Sequence, residues 1–310
     1  MSLATFSLKN IQGTYFWGLE ETQKAGWVDL LANTYKTTQP HEIHKWLGGA
    51  PAMKEWRGER VRDKLGDYDL TVISEKFEST LPFELDDWRR EKTGQSLLRV
   101  REMGQKAGTL EQRLFTSLLN SNSGAGPTAY DGSAYFANSH SVGTVDNIST
   151  SNIVAPAAPT NAEMSDAIML SIQQMMGHVD ETGDPMNEFA RSFMVMVPTN
   201  MWAATIGGIG DTFSAAGVSN TLAGLVARGL SITPVINPRL SDTAKFLTFR
   251  TDAPVKAGIW QEEDLGPESF KTLGADSDNA FWRDEIVFGA KRIAQAAMGR
   301  YELANRHDFT

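Results

Sequence analysis

Between Trp46 and Phe83 the chain carries extended, charge-dense sequence with little to bury. Lys54, Glu55, Arg57, Glu59, Arg60, Arg62, Asp63 and Lys64 fall within eleven residues. A β-rich run from Leu70 to Phe83 follows. The turn-forming pair Gly66-Asp67 lies between two extended runs, which predicts a long hairpin. A two-stranded hairpin this polar is marginal by itself. It therefore projects from the body, and something outside it must hold it in place.

The segments on either side set the body. Residues 1–35 scatter Phe6, Tyr15, Phe16, Trp17, Trp27 and Tyr35 between Gly13, Gly18 and Gly26, with a helix expected from about Glu20 to Thr34. So many aromatics are costly to leave in water, so this arm folds back on its own subunit or packs on a neighbour. Residues 93–120 give the clearest helix. Leu97, Val100, Met103, Ala107, Leu110, Leu114 and Leu118 recur at helical steps, with Thr93 as the expected N-cap. Gly104 and Gly108 mark a bend or a close crossing within it. Residues 123–161 read as loop, with a turn-plus-aromatic island from Tyr130 to His140 that His140 is expected to order through a hydrogen bond.

From Asn161 onward the pattern is α/β-like. Residues 162–176 are helical, Phe193 to Val197 is a fully apolar strand, and Ser231–Ile236 and Phe246–Phe249 are further strands. Gly207 to Gly217 reads as a flexible loop, and the last β segments span Ile259 to Tyr301.

Composition narrows the chemistry. The 310 residues contain no cysteine, which excludes disulfides, thiolate metal sites and cysteine nucleophiles and fits a reducing cytoplasm. The net charge of −9 argues against general nucleic-acid binding and otherwise reads as a solvated surface. No run reaches the roughly 18 apolar residues of a membrane span, and the N-terminus lacks a secretory pattern. His41-Glu-Ile-His44 is too short for a zincin motif. Gly207, Gly208 and Gly210 fail the dinucleotide pattern, and no G-x-S-x-G or Walker loop occurs. Asp180 to Asp184 reads as a hairpin turn, not a calcium loop. The search leaves no catalytic, metal or cofactor residues, so a structural role is expected.

Five blocks in order carry a family resemblance. They are Trp46-Leu-Gly-x-x-Pro-x-x-Lys-Glu-Trp56; Phe77-Glu-x-Thr80 followed by Asp86-Asp87; Glu102-Met-Gly104; Tyr130-Asp131-Gly132 followed by Phe136 and His140; and Asp284-Glu-x-x-Phe-Gly-Ala290 with Arg292. Together they resemble the Mu-type tailed-phage major head protein, strongly over residues 15–140 and 280–303. That family is similar to the wider capsid fold shared with encapsulins and herpesvirus shells.

The resemblance implies an α+β tailed-phage major capsid fold. Residues 1–45 would be an N-arm and 46–83 an extended E-loop hairpin. Residues 84–160 and 276–310 would form the peripheral domain, with a spine helix at 93–120, and 161–275 the axial domain. The implied function is a non-enzymatic shell subunit, assembled as hexamers and pentamers into the icosahedral head of a virion in the bacterial host cytoplasm. It would enclose double-stranded DNA without reading its sequence and without contacting a membrane. An encapsulin-type nanocompartment is the alternative. The expected partners are further copies, a portal, a possible decoration protein and a separate scaffolding protein, because arm-like sequence begins at Met1. The expected inter-subunit contacts are Trp17, Trp27, Trp46, Trp56, Arg57, Arg60 and Arg62, with Gly207, Gly208 and Gly210 at the axial tip.

Overall fold

The computed structural model describes residues 8–47, 58, 67–90, 94–142, 145–153, 156, 158–180, 183–213 and 217–310. In chain order the helices are α1 (Leu8–Lys24), α2 (Val28–Leu31), α3 (Leu85–Arg90), α4 (Gln95–Gly108), α5 (Leu110–Asn120), α6 (Asn161–Met176), α7 (Trp202–Gly210), α8 (Thr221–Ala227) and α9 (Asp278–Arg283). The strands are β1 (Ala32–Thr37), β2 (His41–Leu47), β3 (Asp67–Ile73), β4 (Glu75–Glu84), β5 (His140–Val142), β6 (Val145–Asn147), β7 (Thr150–Ile153), β8 (Ser192–Val197), β9 (Ser231–Ile236), β10 (Lys245–Arg250), β11 (Gly258–Glu263), β12 (Phe270–Leu273), β13 (Glu285–Met298) and β14 (Ala304–Phe309).

Two five-stranded sheets organise the molecule. The first is built on the long strand β13. Residues 287–290 lie between β4 and β12, while 294–298 pair with β11, which pairs in parallel with β1. The second has the order β7-β14-β10-β8-β9. In β8, Met194 and Met196 enter one core, shared with Leu247, Trp260 and Ala294, and Phe193, Val195 and Val197 enter another, shared with α6 and α7. The strand is apolar throughout because both its faces are covered. A third core, around Tyr15, Val100, Met103 and Phe288, lies where α1 and α4 cover β13.

Several sequence expectations need correction. The hairpin pairs His41–Leu47 with Asp67–Ile73, so Asp67 is a strand residue and not a turn residue. Residues 75–84 leave the hairpin and run along β13, because Phe77, Leu81 and Phe83 alternate onto the cores. The expected helix at 93–120 divides at Thr109 into α4 and α5. Thr93 lies outside the described residues, and the N-cap of α4 is Gly94, at φ 76°. The described part of the N-terminal segment is no free arm. It runs α1, α2 and β1 rather than one helix from Glu20, and Val28, Leu31 and Ala32 are core residues. Residues 258–273 belong to the β13 sheet and not to the 161–275 unit, while 304–309 pair with β10 and β7 in the second sheet.

Glycines 104 and 108 mark a close crossing. A Cβ at Gly104 would stand 2.1 Å from the Tyr15 carbonyl oxygen, and one at Gly18 of α1 would stand 2.4 Å from that of Arg101. The two helix backbones touch where side chains would hold them apart.

Candidate functional site

The resemblance-bearing residues are mostly internal ties. Arg292 of β13 donates from Nε to Glu262 Oε1, from Nη1 to the Ala107 carbonyl and from Nη2 to Glu111 Oε1, each at 2.8 Å. Burial alone would lower its pKa, but the carboxylates of Glu262 and Glu111 outweigh it and hold the guanidinium charge. Trp260 stacks beneath at 5.5 Å. One side chain thereby joins α4, α5, β11 and β13. Phe288 of the same block packs its ring against Trp88, Phe83 and Phe270 at 5.4, 5.8 and 6.2 Å.

The Tyr130 block is a second tie. His140 is fully buried, with Nδ1 at 2.6 Å from Asp131 Oδ2 and Nε2 at 2.9 Å from Ser149 Oγ, and it stacks on Tyr301 at 3.6 Å. It orders the island as expected. The Asp-His-Ser order has the outline of a nucleophilic triad. Here, however, Ser149 Oγ accepts from the Ala137 N–H and reaches the Tyr135 carbonyl at 2.9 Å, and the serine is fully buried. The arrangement ties three segments of loop together. Tyr130 donates to buried Glu302 at 2.6 Å, and its hydroxyl pKa is pushed far up by burial and that carboxylate. His178, just past the end of α6, lies between the carbonyls of Glu302 and Ile148 at 2.9 and 3.0 Å.

The expected contact residues part company. Trp17 is 59% exposed, with the Arg101 guanidinium 3.9 Å over its ring. Trp27 is 8% exposed and packs on Phe115 within the subunit's own core, so it is a core residue and not a contact. Trp46 lies in β2, and its side chain falls outside what the structure describes. Trp56, Arg57, Arg60 and Arg62 lie outside the described residues. Gly207, Gly208 and Gly210 are helical in α7, not a flexible loop. A Cβ at Gly207 would meet Asn161 at 2.1 Å, and one at Gly208 would meet the Asn161 carbonyl at 2.9 Å, so two of the three serve the α6–α7 crossing. Beyond α7, Phe213 and Val218 are exposed, and Phe213 is bridged to Ser219.

Sequence reasoning missed two surface features. On α9, Phe281 and Trp282 are each 79% exposed, and their rings meet edge to face at 5.0 Å. The helix is held firmly. Ser277 Oγ accepts from the Ala280 N–H at 3.3 Å, Asp284 closes the helix at φ 55°, and the Leu85 N–H donates to the Asp284 carbonyl at 2.7 Å. The available signal was an aromatic pair set among the acids 276, 278, 284 and 285.

The other feature is a cleft of about 230 Å³ lined by Tyr15, Phe77, Glu78, Lys106, Leu110, Arg113, Lys291 and Arg292, among others. Lys106, Arg113 and Lys291 are exposed and form no ion pair among the described residues. Tyr15 is 1% exposed, its hydroxyl has no partner among the described residues, and burial pushes its pKa up to about 12, against a partial lowering by Arg292.

Comparison with known proteins places this architecture. The family described as the Mu-like prophage major head subunit gpT matches residues 8–163. The major capsid protein of Escherichia phage Mu is 28% identical over 158 residues, 49% of this chain and 49% of that protein. The match thus spans about half the length of that relative. The capsid structure of the cyanophage P-SCSP1u has a TM-score of 0.58 at 12% identity, covering 92% of this chain and 88% of that one. The virus-like particle from Pyrococcus furiosus has a TM-score of 0.55 at 9% identity, covering 97% and 99%. The fold is therefore the α+β fold of tailed-phage capsid proteins. With half its length matched by the family, the Tyr130 block among the matched residues and the Arg292 block built into the same cores, the chain belongs to the Mu-like prophage major head subunit gpT family.

Proposed function

We propose that this chain is the structural major capsid protein of a phage head, assembling with copies of itself into an icosahedral shell. The observation that carries the reading is the family match over residues 8–163, on a fold that aligns with nearly the whole of a cyanophage capsid chain. Support from the surface is the anchored pair Phe281 and Trp282, since rigid exposed aromatics of this kind anchor protein interfaces. In the finer reading the shell is built of hexamers and pentamers, lodges in the virion and encloses double-stranded DNA. It forms in the bacterial cytoplasm on a separate scaffold, with a portal and a decoration protein as further partners. Phe213 and Val218, beyond α7, would then lie near the capsomer axes in place of Gly207, Gly208 and Gly210.

An encapsulin-type shell is the second reading, favoured by the end-to-end alignment with the Pyrococcus particle. The family match ranks it below the phage head.

Arg57, Arg60 and Arg62 alternate with Glu59 and Asp63, which suits a docking edge between subunits. Exposed pairs contribute only about 0–1 kcal/mol each, but a shell repeats them many times. Reversing all three arginines to glutamate is expected to weaken assembly in sedimentation velocity while leaving circular dichroism unchanged. Wild-type assembly by the triple variant would remove these side chains from the interface.

A further inference from the structure

The chain carries on one strand, β13, both halves of a complementary contact. Just before its first residue stands α9, where Phe281 and Trp282 project among Asp276, Asp278, Asp284 and Glu285, with Arg283 as the one base in that stretch. Six residues further along β13, about 20 Å away at strand rise, Lys291 and Arg292 line the basic cleft. Arg292 is consumed by Glu111 and Glu262. That leaves Lys106, Arg113 and Lys291 facing one acid of the lining, Glu78, in a chain of net charge −9. The cleft's volume of about 230 Å³ exceeds the roughly 150 Å³ that accepts a benzene ring in an engineered protein cavity, which is room for one aromatic side chain by volume. Its walls at Phe77, Ala107, Leu110 and Ala290 are apolar, and the buried Tyr15 hydroxyl lacks a partner among the described residues.

We infer that α9 of one copy docks into the basic cleft of a second copy, with Trp282 entering between Phe77 and Leu110 while Asp276 and Asp278 meet Lys106, Arg113 and Lys291. The inference rests on the shell reading and names a contact within it. The occupant is a second copy because the two surfaces match in both charge and apolarity. Nucleic acid is disfavoured at α9, where carboxylates would repel phosphates. Two copies of α9 facing one another would set acid against acid. The contact is therefore heterologous, knob to socket. One such contact leaves a socket free on the first copy and a knob free on the second, so unless the two copies also make the reciprocal contact it propagates into a ring or lattice.

The test uses the full chain. Assemblies are grown from a mixture of heavy-isotope-labelled and unlabelled protein and treated with a zero-length carbodiimide crosslinker. Mixed-isotope crosslinks joining Asp276 or Asp278 to Lys106 or Lys291 are expected. Asp276→Lys with Asp278→Lys, or Lys106→Glu with Lys291→Glu, should each raise the concentration needed for assembly by at least about tenfold. Combining all four should restore much of the loss. Trp282→Ala should lose assembly with its thermal midpoint unchanged, since the ring lies in solvent in the subunit. Shells that form normally from both charge reversals, with inter-copy crosslinks elsewhere, would overturn this contact and leave the shell reading intact. A wild-type chain that stays monomeric at every concentration would overturn both.

Discussion

Replacing Arg292 with methionine strands two carboxylates, Glu111 and Glu262, that share its guanidinium. Removing one partner of a buried pair typically costs about 3–5 kcal/mol, more than the packing lost with the side chain. The urea midpoint of Arg292→Met should fall accordingly, and a loss below about 1 kcal/mol would mean the cluster is better solvated than its burial implies. His307 gives a pH-dependent counterpart. Burial, and to a lesser degree Arg306, pushes its pKa down to about 4, and its ring stacks on Phe246 at 5.3 Å. The folded state therefore keeps the ring neutral where the unfolded chain would take up a proton near pH 6.5. Its stabilising contribution is whole above about pH 6.5 and is lost as the pH falls toward about 4, by about 3 kcal/mol in all. His307→Phe should lose less stability than wild type between pH 7 and pH 4.5. Equal slopes in the two proteins would contradict a buried neutral ring.

At the scale of elements, the α1–α4 crossing sets helix propensity against packing. Propensity alone has Gly104→Ala stabilising α4 by about 1 kcal/mol. The new Cβ would stand 2.1 Å from a backbone oxygen of α1, and neither helix can yield without opening the Tyr15 core. The expected result is a net loss of at least about 1 kcal/mol in a denaturation midpoint, and a more stable variant would mean the helices do not cross here. The elements legible in the sequence were those whose signal is local. Helix α6 has its apolar face and the Thr160–Glu163 capping box, β8 has an unbroken apolar run, and the Asp180–Asp184 turn has Gly183 at φ 87°. The second half of α7, from Gly207 to Gly210, was hidden because its glycines read as a loop, and contact of Gly207 and Gly208 with Asn161 overrides their low propensity. Strands β11 and β12 were read together with β13 among the last β segments, but the expected 161–275 unit took them in because their partners, β1 and β13, are far away or later in the chain. The surface of the site was legible only in part. The charge-dense segment advertises itself, whereas the α9 knob depends on a helix of six residues that no periodicity can reveal.

At the scale of the molecule, the two sheets share a core through Trp260, Met194, Leu247 and Ala294, so the subunit is braced internally. What it leaves outward is an aromatic knob, a basic cleft, the exposed Phe213 and Val218 beyond α7 and the exposed Ile43 and Ile73 of the β2–β3 pair. A subunit built this way gains by meeting copies of itself, since association stabilises whatever the isolated chain leaves unburied. The central claim is that copies of this chain build a shell. Electron microscopy of the purified protein, over a series of concentrations, tests it most directly. The account predicts capsomer-sized rings or closed shells of uniform diameter. A monodisperse particle of 34.1 kDa at every concentration would contradict it.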